Sequence, residues 1–125
     1  MIATTTLLLL LNTTREPKFP LKSDIRLDRM AQVRCLDMQL FSHDNNPAGK
    51  MIYDLKYFYV GEILANGFPD ATSTIKAWEA SPNHNSVMKS KEYSRVGVAH
   101  CNNLSIGYTS VMLFGGYQKK PIWKK

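Results

Sequence analysis

Several things that would make a function easy to read are scarce in this chain of 125 residues. It has only two cysteines, Cys35 and Cys101, and they sit in no CxxC or CxxCH pattern. Zinc-ribbon, thioredoxin-like and haem-attachment readings therefore have no support. The pair either forms one bridge in an exported chain or stays as two thiols. Free cysteine is among the most buried residue types, so buried thiols are the expectation. The longest apolar run, Leu7–Leu11, is too short to cross a bilayer. It also lacks the flanks of a signal peptide: Met1-Ile2-Ala3-Thr4 is uncharged, and Asn12-Thr13-Thr14-Arg15 offers no small-residue cleavage site. The run reads as the first helix of a folded domain, and any export signal lies outside this sequence. No repeat, low-complexity tract or Gly/Ser linker marks a boundary. Residues 1–118 are therefore expected to be a single domain, followed by a basic tail, 119–125.

Acidic residues are scarce as well, 10 against 16 lysines and arginines, giving a formal charge of +6 and a pI near 9.4. A nucleic-acid binder should show a basic stripe interleaved with aromatics, or a reader motif. Here four cations crowd the last seven residues (Lys119, Lys120, Lys124, Lys125) and the rest are scattered. Nucleic acid is not expected as a partner, and the tail reads as a solvated segment, the alternative being a weak preference of its lysines for anionic surfaces. What is present is ordinary: 44% apolar and 21% charged residues, enough to build a core and to exclude wholesale disorder.

Thr4–Thr14 reads as helical, and Pro17 and Pro20 punctuate a connector. Ser23 or Asp24 suits the N-cap of a second helix whose Leu27, Ala31, Cys35 and Met38 recur at helical spacing, ending near Leu40. Asp44–Gly49 is dense in turn formers, and Met51–Tyr59 is read as helical. Asp70 caps a helix with Ala71, Ile75 and Trp78 on one face, stopped by Pro82. His84–Met88 is a short helical piece. Arg95–Cys101 alternates as a strand, Asn102-Asn103 reads as a hairpin turn, and Ser105–Phe114 as the returning strand. Helices first and a hairpin last imply an α+β fold, helices packed on an antiparallel sheet.

Three titratable side chains stand at element boundaries: His43, Glu62 beside a Gly-containing turn, and His84. Histidine changes charge near neutral pH and is the commonest metal ligand. His43 and Glu62 also suit a purely structural role, since a buried carboxylate and imidazole must be paired. Trp78 is read as a core anchor, His100 as structural, and Tyr53, Tyr57, Phe58 and Tyr59 as packing.

The order of short segments resembles the CAP superfamily (cysteine-rich secretory, antigen 5 and pathogenesis-related 1 proteins), in its compact bacterial form. Leu7–Arg15 is similar to the opening helix that ends in Asn-x-x-Arg, and Pro20–Ala31 to the segment that follows. Asp37–His43 resembles the "DM, phenylalanine, Ser-His" step, and Gly61-Glu62 with Asn66-Gly67 the "Gly-Glu-Asn, then Gly" turn. Trp78, Ser81, Pro82 and His84 match "W, S-P-x-H". Tyr93, Gly97 and Val98 match the strand that follows, and Phe114-Gly115 the closing one. Ile63 departs from the usual asparagine, which puts the hydrogen bonding around the glutamate in question, and Asn85 departs from the arginine after the second histidine.

The resemblance implies a three-layer α-β-α sandwich with a small antiparallel sheet and a cleft at one end, in a secreted or surface-associated protein. His43, Glu62 and His84 fall on the cleft pattern. Longer members carry a glutamate where this chain has Ser81, and Glu79 is a poor substitute because it faces elsewhere on the helix. The function implied is a binding module, in a monomer without a transmembrane segment, for a lipid, glycan or protein partner. The alternative is a zinc-dependent hydrolase, with His43 and His84 as metal ligands and Glu62 as ligand or catalytic base.

Overall fold

The computed structural model describes residues 2–118, with side chains from Thr6 onward. The basic tail at 119–125 lies outside the described residues. Along the chain run α1 (Ile2–Thr13), β1 (Lys22–Ser23), α2 (Ile25–Asp37), α3 (Ala48–Tyr53) and β2 (Tyr59–Asn66). Then come α4 (Ala71–Ala80), α5 (Pro82–Lys89), β3 (Arg95–Asn103) and β4 (Gly107–Gly116). The sheet order is β1-β3-β4-β2. β3–β4 and β4–β2 are antiparallel, but β1 joins β3 in parallel, so the sheet is mixed where an antiparallel one was expected.

Helices cover both faces, which makes the expected α-β-α sandwich. Alternation along β3 explains how. Val96 and Val98 enter one core with Leu7 and Leu11 of α1 and Ile75 and Trp78 of α4. Ala99 and Cys101 enter the other with Leu27, Ala31 and Cys35 of α2 and Met51 of α3. Successive strand residues point to opposite faces, so a strand with helices on both sides carries apolar residues on both faces.

The first layer is anchored by its tryptophan and by one arginine. Asp70 caps α4 by accepting from the Ser73 amide, and Trp78 Nε1 donates to the Leu64 carbonyl of β2 at 2.9 Å. Arg15, 7% exposed, donates to the carbonyls of Phe19, Met88, Ser90 and Tyr93, closing the C-terminal end of α5 onto the connector. Asn12 brackets the backbone of Leu21 with its amide and carbonyl. The Asn-x-x-Arg step is therefore a structural clasp.

On the other face, α2 starts at an Asp24 cap and lies tightly on β3. A Cβ at Gly97 would sit 2.1 Å from the Leu27 carbonyl carbon, so only glycine permits this approach. That contact brings Cys35 and Cys101 to a Cα–Cα distance of 6.2 Å, and they form a disulfide. The expectation of buried thiols is corrected: the two residues are 66 apart in sequence, and only the docking of α2 on β3 juxtaposes them. Such a loop closure contributes about 4 kcal/mol by restricting the unfolded chain, and structural disulfides belong to oxidising compartments.

Three element boundaries also differ from expectation. α2 stops at Asp37, three residues before Leu40, and Met38 turns extended. Asn103 explains this: its amide nitrogen lies 2.8, 3.2 and 2.9 Å from the carbonyls of Cys35, Leu36 and Met38. Asn103 is thus a buried strand residue that closes α2, and the hairpin turns afterwards, its Oδ1 accepting from the amides of Ser105 and Ile106. Of the helix expected over Met51–Tyr59, only the start is helical; the chain reverses at Lys56 (φ 64°) and enters β2. Tyr57 is buried while Tyr53 and Phe58 are exposed, so the four aromatics do not act as one packing set.

Candidate functional site

Glu62 lies inside β2, not beside a turn, paired with Leu113 of β4. Its carboxylate meets Arg34 of α2. Arg34 Nε donates to Oε2 at 2.9 Å and Nη2 to Oε1 at 3.1 Å, a fork in which the two side chains are 8% and 7% exposed. Charge-assisted bidentate pairs of this kind fix geometry as well as energy. The same guanidinium then organises the loop after α2, with Nη1 donating to the Asp44 carbonyl at 2.9 Å and Nη2 to the Ser42 carbonyl at 2.6 Å. His43, between those two carbonyls, is placed by them: its Nδ1 lies 3.0 Å from Glu62 Oε1, and its side chain is 60% exposed.

Sequence reasoning missed Arg34. A signal was there, because Arg34 falls three residues after Ala31 and four before Met38, on the stripe that α2 buries. A cation on an apolar helical stripe needs a buried partner. Ile63, in place of the usual asparagine, points into the core opposite Glu62, so the carboxylate draws its hydrogen bonds from Arg34 and His43.

Two hollows adjoin this strut. A cavity of about 220 Å³ has His43, Glu62, Gly61 and Met51 among its walls. A larger open groove of about 630 Å³ runs between α2 and the loop that follows it, reaching Pro47. Met30, Val33, Met38 and Leu40 give it apolar walls, and Arg34 lines its inner side.

His84 belongs to α5, and its Nδ1 lies 2.8 Å from Ser81 Oγ. Burial, and secondarily the charge of His43, hold its pKa below the ordinary histidine value. His84 lines neither hollow. Glu79 is exposed on α4 and joins neither wall. Asn85, at the position expected to carry arginine, keeps its Oδ1 buried without a hydrogen-bond partner. His100 binds Ser110 Oγ and the Pro69 carbonyl and stacks on Tyr108, so its role is structural.

The donor set does not fit zinc. Among the described residues no three His, Cys, Asp or Glu side chains gather closely enough to hold a metal ion. A cation at Glu62 would also lie against the like charge of the Arg34 guanidinium, which binds both carboxylate oxygens. Nor does Ser42 face His43 as a nucleophile, since its Oγ accepts from the Asp44 amide.

Three solved structures with the same fold come from bacteria. An outer surface protein of Borrelia burgdorferi superposes with a TM-score of 0.64 at 21% identity, covering 94% of this chain and 91% of that one. A cysteine-rich secretory protein of Staphylococcus aureus gives 0.72 at 17% identity, over 91% of this chain and 38% of that one. An extracellular protein containing a SCP domain from Bacillus anthracis gives 0.72 at 19%, over 91% and 40%. This chain thus spans well under half the length of the last two. Among curated protein sequences no significant match is found. The profile described as "CAP: Cysteine-rich secretory protein family" matches residues 16–114. With the α-β-α sandwich and the Arg34–Glu62–His43 strut in place, that match over most of the chain establishes that it belongs to the CAP family.

Proposed function

We propose that this CAP domain is a secreted or surface-associated binding module whose ligand enters the groove between α2 and the loop that follows it. One observation carries the reading: the acidic residue of the cleft is already paired with a buried arginine. Glu62 is held on both oxygens by Arg34 and capped by His43, so it works as a strut that shapes the wall. A general base or metal ligand at this position would have to work beside the Arg34 guanidinium, which already neutralises the carboxylate charge. The groove, by contrast, is of the size that small molecules occupy. Methionine, valine and leucine walls favour an apolar ligand over a glycan among the partner classes that the family suggests. The Cys35–Cys101 disulfide supports the extracellular setting.

The test uses a fluorescent fatty acid as probe and zinc as competitor for the reading. The probe should bind the wild type in the micromolar range and be lost on Val33→Asp or Leu40→Asp, both exposed positions that tolerate the change. Calorimetry with zinc should give no uptake. Zinc binding that disappears in His84→Ala, with no probe binding, replaces this reading with the metal-dependent hydrolase.

A further inference from the structure

Among the described residues, excess positive charge gathers in two segments. Residues 16–22 and 89–95 carry five cations, Lys18, Lys22, Lys89, Lys91 and Arg95, against two carboxylates, Glu16 and Glu92. Outside these segments and the C-terminal lysines, seven cations face eight carboxylates. The fold joins the two segments into a single surface. The Lys22 amide donates to the Ser94 carbonyl, Lys22 pairs with Arg95 across β1 and β3, and Arg15 clasps Phe19 to Ser90 and Tyr93. Lys91 lies 5.0 Å over the Phe19 ring and 3.4 Å from Glu16. The four lysines are exposed. Pro17 and Pro20 stiffen the connector that presents Lys18 and Phe19.

Exposed aromatic rings accompany the cations. Phe19 is 41% exposed, and Phe58 and Tyr117 are 53% and 48% exposed beside the end of β4, where Gly116 packs on Glu92. Cations around exposed rings suit a lipid interface, where the rings enter the headgroup layer and lysine stems reach for phosphate. A polyanion in solution would use the cations and leave the rings wet. Among the described residues no helix is long and apolar enough to cross a membrane, so contact would be peripheral.

We propose that the face formed by Lys18, Phe19, Lys22, Lys91 and Arg95 docks on an anionic phospholipid surface, independently of the groove. Flotation tests this with vesicles of phosphatidylcholine with and without phosphatidylglycerol. The wild type should bind only the anionic vesicles, with affinity falling steeply as salt rises. Each lysine near such a surface is worth roughly fivefold in affinity, so Lys18→Gln/Lys22→Gln/Lys91→Gln should weaken binding on the order of 100-fold. Phe19→Ala should weaken it by a smaller factor, while Lys76→Gln on α4 should change nothing. Replacing Lys119, Lys120, Lys124 and Lys125 by glutamine separates the tail from the face. If that variant binds no anionic vesicle, or the triple variant binds like the wild type, the proposal is overturned. Binding to inorganic polyphosphate without binding to vesicles overturns it too.

Discussion

Each side of the sheet is pinned by one buried arginine, and the two do different things. Arg15, in the α1–α5 layer, spreads its donors over four backbone carbonyls. Burial alone pushes its pKa down, with no carboxylate offsetting that cost. Arg34, in the α2 layer, divides its donors between a carboxylate and two loop carbonyls. The first ties backbone to backbone and leaves no chemical group exposed. The second couples a helix, an edge strand and a loop, and it sets a histidine at the mouth of a hollow. One buried cation closes a structure, and the other builds a site.

Breaking the second should cost more. Arg34→Met leaves Glu62 charged, buried and supported by His43 alone, and stability should fall by about 3–5 kcal/mol in urea denaturation. Adding Glu62→Leu should recover most of that loss, because a buried ion pair exchanged for apolar side chains is often close to neutral. A double variant as unstable as the single one would show that Arg34 matters through the loop carbonyls and not through the carboxylate. The comparison sharpens with Arg15→Met, expected to cost about 2–3 kcal/mol as charged hydrogen bonds are lost. No single second substitution should rescue it, since its partners are main-chain groups. Rescue by removal of a nearby carboxylate would erase the distinction between the two arginines.

The same contrast explains what the sequence made legible. α2 and α4 announce themselves because Leu27, Ala31 and Cys35, or Ala71, Ile75 and Trp78, are apolar residues at helical spacing behind an aspartate cap. β3 shows its alternation although both faces are buried, because its inward positions differ in size. β2 does not: Ile63, Leu64 and Ala65 are buried in succession, which erases the period that marks a strand. His43 and Glu62 could be singled out as titratable residues on a family pattern. Their partner was harder to find, since an arginine in mid-helix reads as surface until its stripe is traced. Asn103 misleads for a similar reason, because an asparagine pair signals a turn, whereas here its amide is needed to stop α2. The disulfide was beyond reach because proximity across 66 residues is a property of the packed layers.

The smallest expected effect concerns the second histidine. His84 is held below the ordinary histidine pKa first by burial and then by the charge of His43. The unfolded chain therefore takes up this proton more readily than the folded one. Stability should be unaffected by the group above its ordinary value, near 6.5. It should fall as pH drops below that, then level off once the folded form is protonated too. An NMR titration of the His84 ring should give a midpoint below that of an unstructured histidine. His43→Asn should raise the midpoint only in part, since burial is the larger cause, and His84→Asn should remove this contribution from the urea midpoint between neutral and mildly acidic pH. A His84 midpoint unchanged by His43→Asn would mean that the imidazoles do not sense one another, leaving His84 to the α5–Ser81 pair and the cleft to Arg34, Glu62 and His43.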